Sequence, residues 1–281
     1  EWSASLAGNS DATIAVMGIS ALIEGEEGAA ISSNANGDRS EIDLPSSQVD
    51  YIKTLRVKAG SKPIILVVNS GSALNLAEVE PYVDAILYAW YLGEQGGNAI
   101  AEIVFGDTSP SGKLPFTIPR SSDQLPDYKN YSMKNRTYRY MQYIPMYPFG
   151  FGLSYSQFKY SDLNFSDDVF HIGKSLKVSF EVRNISDKEA EEVIQMYITQ
   201  PESDYISPKF TLKQFKRVFL RPGEKKIISF SLRTKMLESF DINGNSKIEK
   251  GTYKITVGNS SPGNRSKQLG ATLISADLDA I

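Results

Sequence analysis

Ala12-Thr-Ile-Ala-Val-Met-Gly18 is a short, unbroken apolar run rich in β-branched residues, closed by a glycine. Its length and composition are those of a strand covered on both faces, with Gly18 where the chain must turn. Working outward, Ser46-Ser-Gln-Val-Asp-Tyr-Ile-Lys-Thr-Leu-Arg-Val57 places Val49, Ile52 and Leu55 at helical spacing, behind Pro45 and two serines that suit a helix start. Pro63-Ile-Ile-Leu-Val-Val68 reads as a second buried strand, followed by a short helix around Leu74 to Val79. Val83-Asp-Ala-Ile-Leu-Tyr-Ala-Trp90 reads as a third strand, and Gly97 to Phe105 as a helix ended by Gly106. Strand, helix, strand, helix in this order predicts a parallel sheet with helices on its faces. Three parallel strands are few for such a sheet, so its first strands are expected upstream of residue 1.

Directly after the first strand comes Leu22-Ile-Glu-Gly-Glu-Glu-Gly28, three carboxylates within four positions, interleaved with glycine. In open α/β sheets ligands bind outside such strand ends. Crowded carboxylates repel one another, so at least one should resist ionisation, which is what a general acid needs at neutral pH. The competing reading is a solvated loop.

Composition removes other chemistries. The chain has 281 residues, enough for two cores, with net charge −3 and its basic residues scattered, which argues against a nucleic-acid surface. No stretch approaches the apolar length of a membrane span. With no cysteine there is no disulfide, thiolate nucleophile or thiolate-bound metal, and the lone histidine, His171, offers neither a His-cluster metal site nor a choice of triad bases. Neither a Gly-x-Gly-x-x-Gly nor a Walker lysine is present, so Gly93, Gly96 and Gly97 do not read as a nucleotide loop. No cofactor or metal is expected.

From Phe158 onward the period changes. Leu176–Val182, Val193–Ile198, Phe215–Leu220, Lys226–Leu232 and Tyr253–Val257 are short alternating runs parted by turn residues such as Pro222-Gly223 and Asn243-Gly244, the pattern of an immunoglobulin-like or fibronectin III-like sandwich. The reading is therefore α/β plus all-β. An α/β sandwich domain is expected over 1–118, a proline- and tyrosine-rich connector, packed rather than loose, over 119–157, and the fibronectin III-like domain over 158–281.

The motifs in sequence resemble the C-terminal part of glycoside hydrolase family 3, in its β-glucosidase and β-xylosidase-like members. They are Val16-Met-Gly18, Glu24-Gly-Glu-Glu-Gly28, Gly37-Asp-Arg39, Leu44-Pro45, Gln48, Ala89-Trp-Tyr-Leu-Gly93, Pro110-Ser-Gly-Lys-Leu-Pro115, Tyr138-Arg-Tyr140, Pro148-Phe-Gly-Phe-Gly-Leu-Ser-Tyr155, Leu212–Val218 and Pro222-Gly-Glu224. The resemblance implies a retaining, exo-acting β-glycosidase acting on β-linked oligosaccharides or glycosides, exported to the periplasm or secreted. It also implies an N-terminal (β/α)8 barrel that carries the nucleophilic aspartate, in a Ser-Asp-Trp context absent from these 281 residues. This chain would then supply the acid/base: Glu26 by alignment, with Glu24 and Glu27 as alternatives, because nine residues separate Gly28 from Asp38 where many members have almost none. The 281 residues alone are expected to be inactive.

Asp38 and Arg39 are candidates to orient the carboxylate loop or bind substrate, arginine offering a planar donor fork; an ordinary ion pair is the alternative. Trp90 is a candidate sugar-stacking ring or a core residue. The aromatic, glycine-spaced Tyr147–Tyr155 reads as a structural clasp more than a carbohydrate platform. Six Asn-x-Ser/Thr sequons, at Asn130, Asn135, Asn164, Asn184, Asn259 and Asn264, support glycosylation weakly. A second class of function stays open, a non-catalytic carbohydrate-binding or barrel-capping module.

Overall fold

The computed structural model describes residues 2–24, 39–201, 207–241 and 243–281. Its contacts divide into two compact units. Unit 1 comprises Glu1–Ala101, Ile118–Asp127 and Ile144–Met146; unit 2 comprises Glu102–Thr117, Tyr128–Tyr143 and Tyr147–Ile281.

Unit 1 is built on three parallel strands, β1 (Thr13–Gly18), β2 (Ile64–Asn69) and β3 (Ala85–Tyr88), in that spatial order. Thr13 pairs with Ile64 and Gly18 with Asn69, while Ile65 pairs with Ala85 and Val68 with Tyr88. Its helices are α1 (Trp2–Leu6), α2 (Ala21–Glu24) and α3 (Ser46–Ala59); α4 (Gly96–Phe105) begins in unit 1, runs on into unit 2 and ends at Gly106 with φ +82°. The α3 helix buries Val49, Ile52, Leu55 and Ala59. It stops at Gly60, whose φ of +62° takes the chain out of the helix while its N–H still bonds the Arg56 carbonyl. Arg56, in the last turn, donates to the carbonyls of Gly60, Lys62 and Tyr82 and pairs with Asp84. The Ile64 N–H first, then Arg56, holds the Asp84 carboxyl below its ordinary value.

Two expectations for this unit are corrected. The apolar β1 is not covered on both faces, since Ile14 is 45% and Val16 56% exposed while Ala15 is buried. β1 is an edge strand of the described sheet, and apolar composition reports what a strand can bury, not which neighbours it has. Nor does Leu74–Val79 form a helix. Leu74, Leu76 and Val79 are all buried, at a spacing that is not helical, and Asn75 is drawn into a bridge with Asp43. The Asn75 amide donates to Asp43 at 2.6 Å and its Oδ1 accepts from the Ala77 N–H, so the side chain satisfies the backbone locally in place of a helix.

Unit 2 is a mainly antiparallel sandwich, with Val169–Phe170 pairing in parallel to Asp279–Ala280. The strands are β4 (Phe158–Phe165), β5 (Val169–Phe170), β6 (Ser175–Asn184), β7 (Ala190–Thr199), β8 (Thr211–Leu220), β9 (Lys225–Arg233), β10 (Ser239–Phe240), β11 (Ser246–Lys247), β12 (Gly251–Gly258) and β13 (Leu273–Ala280). One sheet runs β5-β13-β12-β7-β8, the other β4-β6-β9, and β10 and β11 form a small ribbon. Two short helices, α5 (Thr137–Tyr140) and α6 (Asn264–Gln268), complete the unit. Alternate residues of the main strands, among them Val178, Phe180, Ile194, Met196, Phe230, Tyr253 and Ile255, face inward and form a single core. The α/β plus all-β architecture is thus present, and all five runs read as strands are strands.

The aromatic connector is packed in part. Tyr138 stacks on Phe149 at 4.1 Å between centroids, and both meet Tyr197 edge-on, whereas Tyr128 and Tyr131 are each 88% exposed. His171 is exposed. Asn184 is fully buried, its amide donating to the Lys188 and Leu220 carbonyls, and Asn259 is committed to Glu192 and the Thr272 N–H; both sequons are structural amides.

Unit 2 also buries an ion pair. Glu192 is 1% exposed and meets Lys113 Nζ at 3.0 Å. Lys113 also donates to the Gly152 carbonyl, and Glu192 accepts from the Val193 N–H and the Asn259 amide. Burial keeps the Glu192 carboxyl above its ordinary value even though Lys113 pulls it down. The phenol of Tyr160, buried with no hydrogen-bond partner among the described residues, is lifted by burial and by the Glu192 charge.

Candidate active site

The C-terminal ends of the three parallel strands bring together Gly18, Asn69 and Tyr88. Gln48, in the first turn of α3, clamps the first of these: its Oε1 accepts from the Gly18 N–H at 2.9 Å and its Nε2 donates to the Gly18 carbonyl at 2.7 Å. One side chain thereby satisfies both backbone groups where β1 leaves its sheet. The next amide, Ile19, donates to the Asn69 carbonyl at 2.9 Å.

The one-turn α2 follows, with the Ile23 and Glu24 N–H groups both directed to the Ser20 carbonyl. It delivers Glu24 to Ser72, whose hydroxyl donates to Glu24 Oε1 at 3.0 Å. Arg39 Nη2 donates to that same Ser72 oxygen, also at 3.0 Å. Ser72 is itself fixed. Its N–H bonds the Oγ of buried Ser70, which donates back to the Ser72 carbonyl, and the Tyr88 hydroxyl donates to that carbonyl while accepting the Leu74 N–H. Burial raises the Tyr88 phenol above its ordinary value.

Two aromatic residues follow β3. Trp90 has φ +59°, a left-handed conformation that a non-glycine residue adopts only when its surroundings hold it, and its ring lies 4.7 Å from that of Tyr88. The Tyr91 ring rests on Gly71, where an added Cβ would come within 2.8 Å of it. Burial, and after it the Glu24 charge, raises the Tyr91 phenol, while the Gly71 backbone and Arg39 act the other way.

The structure therefore brings Glu24 and Arg39 to one hydroxyl, with Tyr91 beside them and Trp90 against Tyr88. Glu26, Glu27 and Asp38 lie outside the described residues. Sequence reasoning missed Ser72. The available signal was positional, since Asn69–Ser72 directly follow the buried run of β2, where strand-end sites form. Arg39 Nη1 and Asn69 Oδ1 are buried and find no hydrogen-bond partner among the described residues. No group of three or more His, Cys, Asp or Glu side chains among those residues could hold a metal ion. No helix among them is long and apolar enough to cross a membrane.

A carboxylate, a guanidinium and aromatic rings thus gather at the strand ends of a parallel α/β unit, with a β-sandwich in the same chain. Residues 3–155 match the glycosyl hydrolase family 3 C-terminal domain and residues 192–261 the fibronectin type III-like domain. The chain belongs to glycoside hydrolase family 3. It is 38% identical over 91% of its length to a putative β-xylosidase of Formosa agariphila, and 37% identical over 78% to a periplasmic β-glucosidase of Salmonella typhimurium. The chain spans 34% and 30% of those two proteins, about a third of the length of the curated relatives it matches. Among solved structures, a β-glucosidase from Erythrobacter marinus superposes with TM-score 0.83 at 30% identity, covering 100% of this chain and 36% of that one. A Listeria innocua β-glucosidase in complex with glucose superposes with TM-score 0.78 at 27% identity, covering 97% and 37%.

Proposed function

We propose that this chain is the C-terminal part of a retaining, exo-acting β-glycosidase, a β-glucosidase before a β-xylosidase, that removes terminal β-linked sugars in the periplasm or outside the cell. The family match over residues 3–155 carries the proposal, supported by relatives named β-xylosidase and periplasmic β-glucosidase. Retention requires two carboxyl groups about 5–5.5 Å apart. The nucleophile belongs to a barrel outside these 281 residues, and Glu26 is the partner acid/base. Its carboxylic acid protonates the departing glycosidic oxygen as the nucleophile bonds to the anomeric carbon. The resulting Glu26 carboxylate then takes a proton from the water that releases the sugar with its configuration kept. The Ser72 bond to Glu24 supports an anchoring role for that residue, with Glu26 as the acid/base and Glu24 and Glu27 as its alternatives. Asp38 and Arg39 orient the acidic segment, and Trp90 stacks on sugar.

The test pairs two polypeptides. The purified 281-residue chain is expected to show no turnover of p-nitrophenyl β-glucoside. The full-length protein carrying it is expected to release β-glucose first, as followed by proton NMR. Turnover by the chain alone, or an α-anomer as first product, would overturn the proposal. Sugar affinity in the chain with no hydrolysis in the full-length protein would favour the non-catalytic binding module.

A further inference from the structure

The sequence carries six sequons, and the structure separates them. Asn184 is fully buried, Asn259 is committed to Glu192 and the Thr272 N–H, and the Asn135 Oδ1 is buried. Asn264 is exposed, but the Ser266 hydroxyl two residues on is buried and donates to the Ser261 carbonyl at 2.6 Å. Asn130 and Asn164 each keep both the asparagine and its serine exposed. Of these two, Asn164 alone has a carboxylate two positions ahead, in Asp162-Leu-Asn-Phe-Ser166, where Asn130 has Tyr128. We infer that Asn164 is a glycan acceptor for an oligosaccharyltransferase of the kind that reads an acidic residue at that position. This rests on the export reading given above.

The strand displays the whole signal on one side. Asp162, Asn164 and Ser166 are exposed, whereas Leu163 and Phe165 between them pack against the core, so the two-residue period of β4 turns all three recognition groups outward. β4 is the end strand of its sheet, and among the described residues no strand pairs with its other edge. Its ladder to β6 is interrupted here, with a register shift between Ser161 and Asn164 and a φ of +56° at Asp162. An interrupted end strand opens locally more readily than the middle of a sheet, which lets the segment bend into a transferase. The Asn164 amide donates to the Asp162 carbonyl at 2.7 Å, a bond inside the segment rather than to a neighbouring strand.

The donor is an oligosaccharide carried on a polyprenyl diphosphate. Asn164 Nδ2 bonds to the anomeric carbon of that sugar while the bond from this carbon to the diphosphate oxygen breaks. The diphosphate leaves with the electron pair, and Nδ2 gives up one proton. Asp162 offers an anion to a basic group of the transferase, and Ser166 a hydroxyl for hydrogen bonding. The attached glycan then covers the open edge of β4, through which a sheet can otherwise pair with another chain.

The test places the full-length protein, behind a supplied secretory leader, in the periplasm of a bacterium that carries such a transferase and its lipid-linked oligosaccharide. The supplied leader separates this result from native export, which fractionation of the native host reads independently. Mass spectrometry of tryptic peptide 160–174, which holds no other sequon, is expected to show one glycan. Asn164→Gln and Ser166→Ala should abolish it, and Ser166→Thr, which restores the hydroxyl, should keep it. Asp162→Asn retains a residue that tolerates the left-handed conformation and removes the charge. It should slow transfer by roughly tenfold or more, the worth of one charge-assisted hydrogen bond. An unmodified peptide 160–174, a glycan at Asn130 in its place, or undiminished transfer to Asp162→Asn would overturn the inference.

Discussion

Lys113→Met is expected to destabilise unit 2 by roughly 3–5 kcal/mol at neutral pH, the cost of leaving a buried charge without its partner. The methionine fills similar volume, so the loss is electrostatic. Glu192 is 1% exposed, and among the described residues Lys113 is the cation that lowers its carboxyl pKa. The remaining donors, the Val193 N–H and the Asn259 amide, are neutral, and the neighbouring Tyr160 phenol makes no hydrogen bond among the described residues. The pH dependence has a defined sign. Glu192 already titrates above the ordinary 4.5 through burial, and removing Lys113 raises it further. A carboxyl raised in the folded state binds protons that the unfolded chain has released, so stability falls as pH rises from about 4.5 through the folded value. The deficit of the variant should therefore be small in acid and full above that window. Urea midpoints across this range check it, and an equal loss at every pH, or a loss below about 1 kcal/mol, would contradict it.

Gly18→Ala should be nearly as damaging, for steric reasons. Gly18 has φ +143°, and a Cβ there would lie 1.8 Å from the Asn69 carbonyl oxygen, a backbone atom with no rotamer to retreat into. Relief by local movement is blocked, since Gln48 holds both the N–H and the carbonyl of Gly18 and Ile19 is bonded to Asn69. Backbone strain and overpacking together put the cost at about 3 kcal/mol or more. The displacement would pass to α2 and pull Glu24 from Ser72, so glycosidase activity in the full-length protein should fall beyond what lost stability explains. A variant within about 0.5 kcal/mol of the parent would show that the strand end yields more easily than this geometry allows.

Much of the fold was legible because periodicity is a local property. Pro63–Val68 announced β2 by its β-branched run, and Val49, Ile52 and Leu55 announced the buried stripe of α3. What failed depended on neighbours. The exposed Ile14 and Val16 have the same composition as a buried strand, and the expected helix at Leu74–Val79 lost to an asparagine that bridges to Asp43, far off in sequence. The Lys113–Glu192 pair carried one unused signal. Glu192 falls between Ala190 and Ile194 on the buried face of β7, and a carboxylate in that register demands a partner, though the strand cannot say which. At the strand ends, the crowded glutamates after Gly18 pointed to a site, but only the parallel pairing of β1, β2 and β3 places Ser72 between Glu24 and Arg39.

The central claim is that Glu26 moves the proton, and turnover by three alanine variants of the full-length protein tests it most directly. On an alkyl β-glucoside, Glu26→Ala should lose about 10²- to 10⁴-fold in kcat, the range for a removed general acid, whereas Glu24→Ala and Glu27→Ala should each lose far less. Azide, a nucleophile that needs no general base, should accelerate the Glu26→Ala enzyme on an activated aryl glycoside and yield the β-glycosyl azide. Normal turnover in Glu26→Ala with activity abolished in Glu24→Ala or Glu27→Ala would contradict the account and move the acid/base role to that carboxylate.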